Sequence, residues 1–440
     1  MLTARALDFP VHPLGLARAL TAKGHLRVAL LHAGEAGPAL LGAGRFSFVG
    51  SDPDRASDHV DPTADDDAPP CTDGGELCRL PRWIGVLPYE AHRAAHERPG
   101  WAPHDARPPA LLDRPSWLRY PAVVAIDHES GRALVAGFDR RAVDALASAV
   151  LEARGLAAAE PVTDLEVGEP EPVARHAERV AAARELIAAG DLYQVNLARR
   201  LGLTLRSGDA LSLYRALSRR APTPFGACLD LGDLHVACTS PELLLRASTR
   251  PGGDFDRLVT APIKGTRPRG PDALSDAALA RELDQDPKER AELAMIIDVE
   301  RNDLGKVAVP GSVRLVEGPI VSSHRTVHHR SALLTARARA DATRADVLAA
   351  MLPSGSVTGA PKVRAMEVIA SLEASRRGLY TGGLGFVSHD GAVSLAMAIR
   401  TAVLRGREGE YFTGGGVVAD SDPAREVEET RWKAAQLGRR

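Results

Sequence analysis

Long apolar runs are missing from this 440-residue chain: no window approaches the roughly eighteen uncharged apolar residues of a membrane span. The start also lacks a basic segment followed by an apolar stretch, so neither export nor a membrane span is expected. Charge of one sign is not in excess either. With a formal net charge of −2, no global field points to nucleic acid or an anionic membrane as a partner, and affinity for an anion must come from local arginines. Cysteine is scarce. Cys71, Cys78, Cys228 and Cys238 show no C-x-x-C pair, no metal-ligand spacing and no Gly-x-Cys-x-Gly elbow. They are expected to be reduced thiols of a cytoplasmic protein. There is no internal repeat.

What is present reads as an ordinary globular enzyme, 25% charged and 45% hydrophobic, long enough to bury a large core. Residues 1 to about 165 alternate strand-like runs, such as Leu26–Leu31 and Ala122–Ile126, with an acidic, proline-rich insert at about 51–72 expected to be a mobile surface loop. A Glu- and Pro-rich stretch at 166–172 has linker composition and separates this region from a denser one at 173–440. There, helical patterns at about 173–190, 287–304, 361–375 and 424–437 alternate with strand patterns at 234–247, 256–264, 382–388 and 393–404. That indicates a mixed α/β (α+β) architecture.

Several constellations could carry chemistry. Lys264 lies in Thr260-Ala261-Pro262-Ile263-Lys264-Gly265-Thr266, an apolar, strand-like segment beside a glycine that allows close approach. Withdrawn from water, its amine would become a nucleophile; the alternative is a lysine whose stem covers apolar surface while its ammonium reaches water. Two helices open with Asp-Pro and then place glutamates one turn apart: Glu289 and Glu292 after Asp286-Pro287, and Glu426 and Glu429, with Lys433 beyond, after Asp422-Pro423. Such glutamates complement a helix dipole, yet two pairs together could supply the oxygen ligands that Mg²⁺ prefers. Arg400 interrupts the apolar run 393–404, where a guanidinium requires an internal acid or a ligand carboxylate. Gly355 to Lys362, including Gly359, leads into a helix and could expose N–H groups to an anion. Gly414-Gly415-Gly416 would admit close backbone approach, or form a turn or bulge. Glu242, ahead of an apolar run, is a candidate general acid, and His329 a second proton donor or hydrogen-bonding group; either could equally be structural.

Taken in order, Pro262-Ile263-Lys264-Gly265-Thr266, Asp298-Val299-Glu300-Arg301-Asn302-Asp303-Leu304, Gly359-Ala360-Pro361-Lys362-Val363-Arg364-Ala365-Met366 and Glu428-Glu429-Thr430-Arg431 resemble the chorismate-utilising enzymes. The resemblance is dense from about 175 to 437 and looser before, where Arg45–Gly50 and Gly85–Glu90 still fit. It implies an anthranilate synthase component I-like fold: a large β-sandwich core of two packed sheets surrounded by helices. It also implies chorismate as substrate, with Arg400, Tyr380 and the backbone around Gly416 on one carboxylate. Mg²⁺ on Glu292 and Glu429, with Glu289 and Glu426 nearby, would hold the other. Lys264 would attack the ring while Glu242 protonates the departing hydroxyl, and Thr266 and His329 would orient ring and leaving oxygen. Gln194 stands where water-using members carry a lysine base, so ammonia is the expected nucleophile. Lysine at 264 is typical of the aminodeoxychorismate synthase component I branch, whereas anthranilate synthases usually have alanine there. The element Leu-Leu-Glu-Ser of tryptophan-inhibited members reads Leu30-Leu31-His32-Ala33 here, which argues against that feedback site. With no glutaminase elbow in the chain, a separate glutamine amidotransferase subunit is the expected partner.

Overall fold

The computed structural model describes residues 2–33, 44–67, 70–72, 75–91, 105–154 and 161–438. Two sheets, paired antiparallel, organise it. The twelve-stranded sheet runs Thr3–Leu7, Ala133–Gly137, Ala122–Asp127, Phe46–Gly50, Ala29–His32, Phe225–Asp230, Leu234–Ser240, Thr401–Arg405, Glu408–Val417, Gln194–Ser207 and Gly359–Ala360, with Asp164–Gly168 also against Gln194–Ser207. The ten-stranded sheet runs Ile263–Pro268, Val327–Arg337, Phe255–Ala261, Leu243–Thr249, Val393–Met397, Gly383–Ser388, Pro81–Leu87, Ser116–Arg119 and Arg55–Ser57, with Arg314–Ser323 also against Val327–Arg337. Segments on either side of 166–172 supply strands to both sheets.

The sheets pack face to face. Leu31, Ile84, Val86, Val123, Leu229, Val236, Leu384 and Val403, drawn from both, share one buried cluster. In Ala122–Asp127, Val123 and Ala125 enter that cluster while Val124 and Ile126 enter the one on the opposite face, under helices Pro13–Ala22, Arg140–Ala153 and Ala210–Arg220. Successive side chains of a strand point to opposite faces, so a strand covered on both sides must be apolar throughout. Helices Pro287–Val307 and Arg344–Met351 cover the outer face of the second sheet through Leu293, Ile297, Leu304, Val347 and Met351. Fully burying each such side chain stabilises the fold by about 1.5–3 kcal/mol before entropy is counted.

Three expected strands are each broken in two, and the breaks position the site. The run 234–247 divides at Pro241-Glu242 into Leu234–Ser240 of the first sheet and Leu243–Thr249 of the second. Proline offers no N–H to the ladder, and here the chain passes from sheet to sheet. The run 393–404 divides at 398–400, again crossing between sheets, with Arg400 at the crossing in a left-handed conformation (φ 53°). The run 256–264 is interrupted at Pro262, and Ile263–Pro268 continues along Val327–Arg337, where Thr260 lies against Leu334 and Ile263 against Ser331.

Two expectations are corrected. The described residues of the acidic insert are tied down: Asp54 and Asp67 bind Arg119 at 2.8 and 2.7 Å, Asp66 binds Arg82 at 3.0 Å, and Asp61 binds Arg344. The cysteines are not all free thiols. The Cα atoms of Cys71 and Cys78 lie 5.9 Å apart, within bridging range, and the two form a disulfide; Cys228 and Cys238 are free and buried.

Candidate active site

Lys264 occupies a bulge. The register between Ile263–Pro268 and Val327–Arg337 shifts between Ile263 and Thr266, and Gly265 supplies the required positive φ of 85°. A Cβ on Gly265 would stand 2.9 Å from Glu289 Oε2, so the glycine admits a carboxylate of the neighbouring helix. Lys264 is half-buried among polar groups rather than in the apolar setting its sequence neighbours suggest. Its Nζ lies 3.6 Å, and Gln194 Nε2 2.4 Å, from where a Cβ on Gly416 would sit. Three segments therefore converge at Gly416: the bulged strand, the start of Gln194–Ser207 and the glycine-rich end of Glu408–Val417, in which Gly416 pairs with Asn196. A residue with a side chain at 416 would fill the space between amine and amide.

Glu242, at its sheet crossing, is buried. Ser356 Oγ donates to its Oε1 at 2.8 Å and the Ile263 amide donates as well, linking it to the lysine's strand. Desolvation outweighs these bonds and the attraction of Lys264 and Lys433, and raises its pKa to about 7. His329 is pushed the other way, down to about 3, by burial and then by Arg400. It is a neutral imidazole at physiological pH, so it orients by hydrogen bonding rather than donating as a cation. Its Nδ1 meets Thr266 Oγ1 at 3.0 Å.

The two glutamate pairs flank this point. Asp286 caps helix Pro287–Val307 through the amides of Lys288 and Glu289. Its own N–H is already donated to Glu282 O, so Glu289 does not close a capping box and turns instead to Arg267 at 3.4 Å. Glu292 lies 3.7 Å from Lys288. On helix Pro423–Ala434, Glu426 is buried; Ser421 donates to its Oε1 at 2.7 Å while Oε2 has no partner among the described residues and points at Gly415, where a Cβ would stand 2.8 Å away. Glu429 is bonded by Lys433 at 2.7 Å, with Oε1 3.3 Å from the same Gly415 position. Lys433 also donates to Gly414 O at 2.7 Å. The unpaired Glu426 oxygen and the all-carboxylate donor set fit a hard divalent cation. Among the described residues no three acidic, imidazole or thiol groups cluster as a finished metal site, so substrate oxygens and water would complete any shell.

Arg400 makes no ion pair among the described residues, and burial lowers its pKa. Tyr380 stacks on Phe412 at 5.5 Å between ring centres. In the Gly355–Lys362 segment, the Gly355 amide is already bonded within the chain, to Glu300 Oε1 at 3.1 Å; Gly359 pairs with Val195, and Lys362 binds Asp303 at 2.8 Å. The anion at this turn is the chain's own Glu300. The sequence reading also gave no role to Glu300, Ser354, Ser356, or to the ion pair of Arg377 with Glu373 at 2.7 Å. A signal for Glu300 exists: it lies on the apolar face with Leu293, Ile296, Ile297 and Leu304.

The family model for chorismate binding enzymes matches residues 47–439. The chain belongs to the chorismate-binding enzyme family. Among relatives of this chorismate-utilising enzyme, anthranilate synthase component 1 of Streptomyces coelicolor is 40% identical over 80% of this chain and 71% of its own length. An aminodeoxychorismate synthase of Streptomyces griseus is also 40% identical, over 81% of this chain; the aligned part spans 49% of that longer protein. The fold matches anthranilate synthase component I of Streptococcus pneumoniae with a TM-score of 0.77 at 27% identity, covering 90% and 92% of the two chains. The menaquinone-specific isochorismate synthase of Escherichia coli shares the fold at a TM-score of 0.74 and 18% identity, covering 100% and 94%. The chain is a chorismate-utilising enzyme of the anthranilate synthase component I type, with the expected two-sheet fold.

Proposed function

We propose that this enzyme is an aminodeoxychorismate synthase component I, converting chorismate and ammonia to 4-amino-4-deoxychorismate. The observation that carries this reading is the meeting of Lys264 and Gln194 over Gly416. An amine nucleophile is present at that point, and the side chain beside it is an amide that cannot deprotonate water. Lys264 attacks C2 of the ring as Glu242 gives its proton to the C4 hydroxyl, which leaves as water. Ammonia then adds at C4 and the lysine is expelled. Arg400 and Tyr380 take one substrate carboxylate, while Thr266 and neutral His329 orient the ring and leaving oxygen. Glu292 and Glu429 would hold Mg²⁺, with Glu289 and Glu426 behind them; when bound, the ion supplies positive charge for the other carboxylate. A cytoplasmic glutamine amidotransferase subunit supplies the ammonia, and concentrated ammonium replaces it.

Anthranilate synthase component I is the second reading, supported by the match to the Streptomyces coelicolor protein of that name. Incubation with chorismate, Mg²⁺ and ammonium, followed by product mass with and without an added lyase, separates the two. Aminodeoxychorismate is expected; anthranilate with pyruvate, or a Lys264→Ala variant of full activity, sinks the first reading.

A further inference from the structure

Behind Glu242 stands a second buried carboxyl that the mechanism leaves unused. Glu300 has no exposed surface, and two buried serine hydroxyls connect it to Glu242. Ser356 Oγ is 2.8 Å from Glu242 Oε1 and 3.0 Å from Ser354 Oγ, and Ser354 Oγ is bonded in turn to Glu300 Oε1. The row is held in shape from outside. The Ser356 amide donates to Ser354 Oγ at 3.1 Å, the Gly355 amide to Glu300 Oε1 at 3.1 Å, and Thr260 Oγ1 to Glu300 Oε2 at 3.5 Å.

We propose that Glu242 and Glu300 share one proton through Ser356 and Ser354, so that the proton Glu242 delivers during turnover is drawn from Glu300. The inference rests on the reading of Glu242 as the general acid. Hydroxyls suit this task because each donates and accepts, and both can rotate together. With the proton on Glu300, Glu300 donates to Ser354, Ser354 to Ser356, and Ser356 to the Glu242 carboxylate. With the proton on Glu242, every bond reverses. Two carboxyls in one dry region do not readily carry two negative charges. Surrounding charge is consistent with a single shared proton: Glu300 faces Asp303 and Lys362, and Glu242 faces Lys264 and Lys433. Asp303 is bound by Lys362 and Lys306, each at 2.8 Å. Burial raises both Glu242 and Glu300 to about 7.

The step balances without a further reactant. The shared proton leaves Glu300 for Ser354 as Ser354 passes its own to Ser356 and Ser356 its own to Glu242. Glu242 gives that one proton to the departing hydroxyl, which leaves as water, and both carboxyls are then ionised. The secondary ammonium formed when Lys264 bonds to the ring must shed one proton, and this restores the one withdrawn from Glu300. Glu300 is thus a positioning residue, acting through Glu242 without touching substrate.

The test is the pH profile of kcat/KM for the ammonium-dependent reaction in wild type, Glu300→Gln, Ser356→Ala, Ser356→Thr and Glu242→Gln. Glu300→Gln and Ser356→Ala are expected to lower the rate roughly tenfold or more and to move the alkaline limb, toward lower pH in Glu300→Gln, where a repelling carboxyl is removed, and toward higher pH in Ser356→Ala, where Glu242 loses a donor. Ser356→Thr, which keeps a hydroxyl, is expected to restore both rate and limb. An alkaline limb unmoved in Ser356→Ala overturns the proposal and leaves only a structural role, and this result decides even where Glu300→Gln fails to fold. Full activity in Glu242→Gln instead refutes the general-acid reading, a failure distinct from that of the shared proton.

Discussion

At the scale of single residues, the chemistry depends on groups held in the less usual protonation state. Glu242 with a pKa of about 7 is largely protonated below neutrality, so the acid-dependent rate should fall as pH rises through about 7. The effect on stability has the same direction. A buried carboxyl whose folded pKa exceeds its unfolded value of 4.5 favours the fold most below 4.5, and the advantage is lost as pH rises through about 7. Glu242→Gln should cost about 10²–10⁴-fold in rate and remove that pH-dependent part of stability, measured by steady-state kinetics and denaturant titration. A variant active at all pH values contradicts the assignment. Glu242 and Lys264 were visible in the sequence because a charged residue stands beside or within an apolar run there, His329 as a polar group among its neighbours, and Thr266 only through the resemblance of the motifs. Ser354 and Ser356 were not, since a serine in a glycine-rich turn has the same local signature whether it caps a turn or connects two acids. Glu300 was hidden inside a motif, although an acid among Ile296, Ile297 and Leu304 needs a buried partner.

At the scale of elements, the structure differs from the sequence reading mainly where strands end. Periodicity reads 234–247 and 393–404 as continuous because both pieces of each are apolar. It cannot register that consecutive pieces lie in different sheets, and the crossings are where Glu242 and Arg400 sit. Helices were legible at their starts, where Asp286-Pro287 and Asp422-Pro423 cap as expected. The Glu289 side chain is free of the cap, because the Asp286 N–H whose bond it would accept is already used by the preceding helix. The glycine-rich end of Glu408–Val417 offers a direct check. Gly416→Ala would place a methyl group 2.4 Å from Gln194 Nε2, so activity should fall steeply while the circular dichroism spectrum is retained. Wild-type activity would show that the space over Gly416 is not used. Arg377 is a structural counterpart. Fully buried, it donates to Glu373, Asn196 O and Val357 O, and so joins the Gln194–Ser207 strand to the turn ahead of Lys362. Arg377→Leu should cost about 3–5 kcal/mol by denaturant unfolding, since it leaves Glu373 buried with, among the described residues, only the Ala198 amide at 2.9 Å and Arg107 at 3.9 Å. A cost below about 1 kcal/mol would show that the pair contributes little.

At the scale of the whole molecule, the sandwich itself was implied by the resemblance of the motifs, but the sharing of strands was not legible, because composition marks a boundary at 166–172 and says nothing of pairing. Thr3–Leu7, Ala29–His32, Phe46–Gly50, Ala122–Asp127 and Ala133–Gly137 lie in the first sheet, and Arg55–Ser57, Pro81–Leu87 and Ser116–Arg119 in the second. A fragment of residues 173–438 therefore loses much of the cluster between the sheets and should show no cooperative thermal transition. A sharp transition would mean that this region folds alone. The same architecture brings residues 194, 242, 264 and 416, far apart in the chain, to one place, and the central claim of the proposed function is a transient bond between Lys264 and the substrate ring. Acid-quenching the enzyme with chorismate and Mg²⁺ in the absence of ammonia, then mapping tryptic peptides by mass, tests this most directly. The account predicts a substrate-minus-water adduct on Lys264 that disappears when ammonium is added; an unmodified Lys264 peptide from enzyme that turns over when ammonium follows would contradict it.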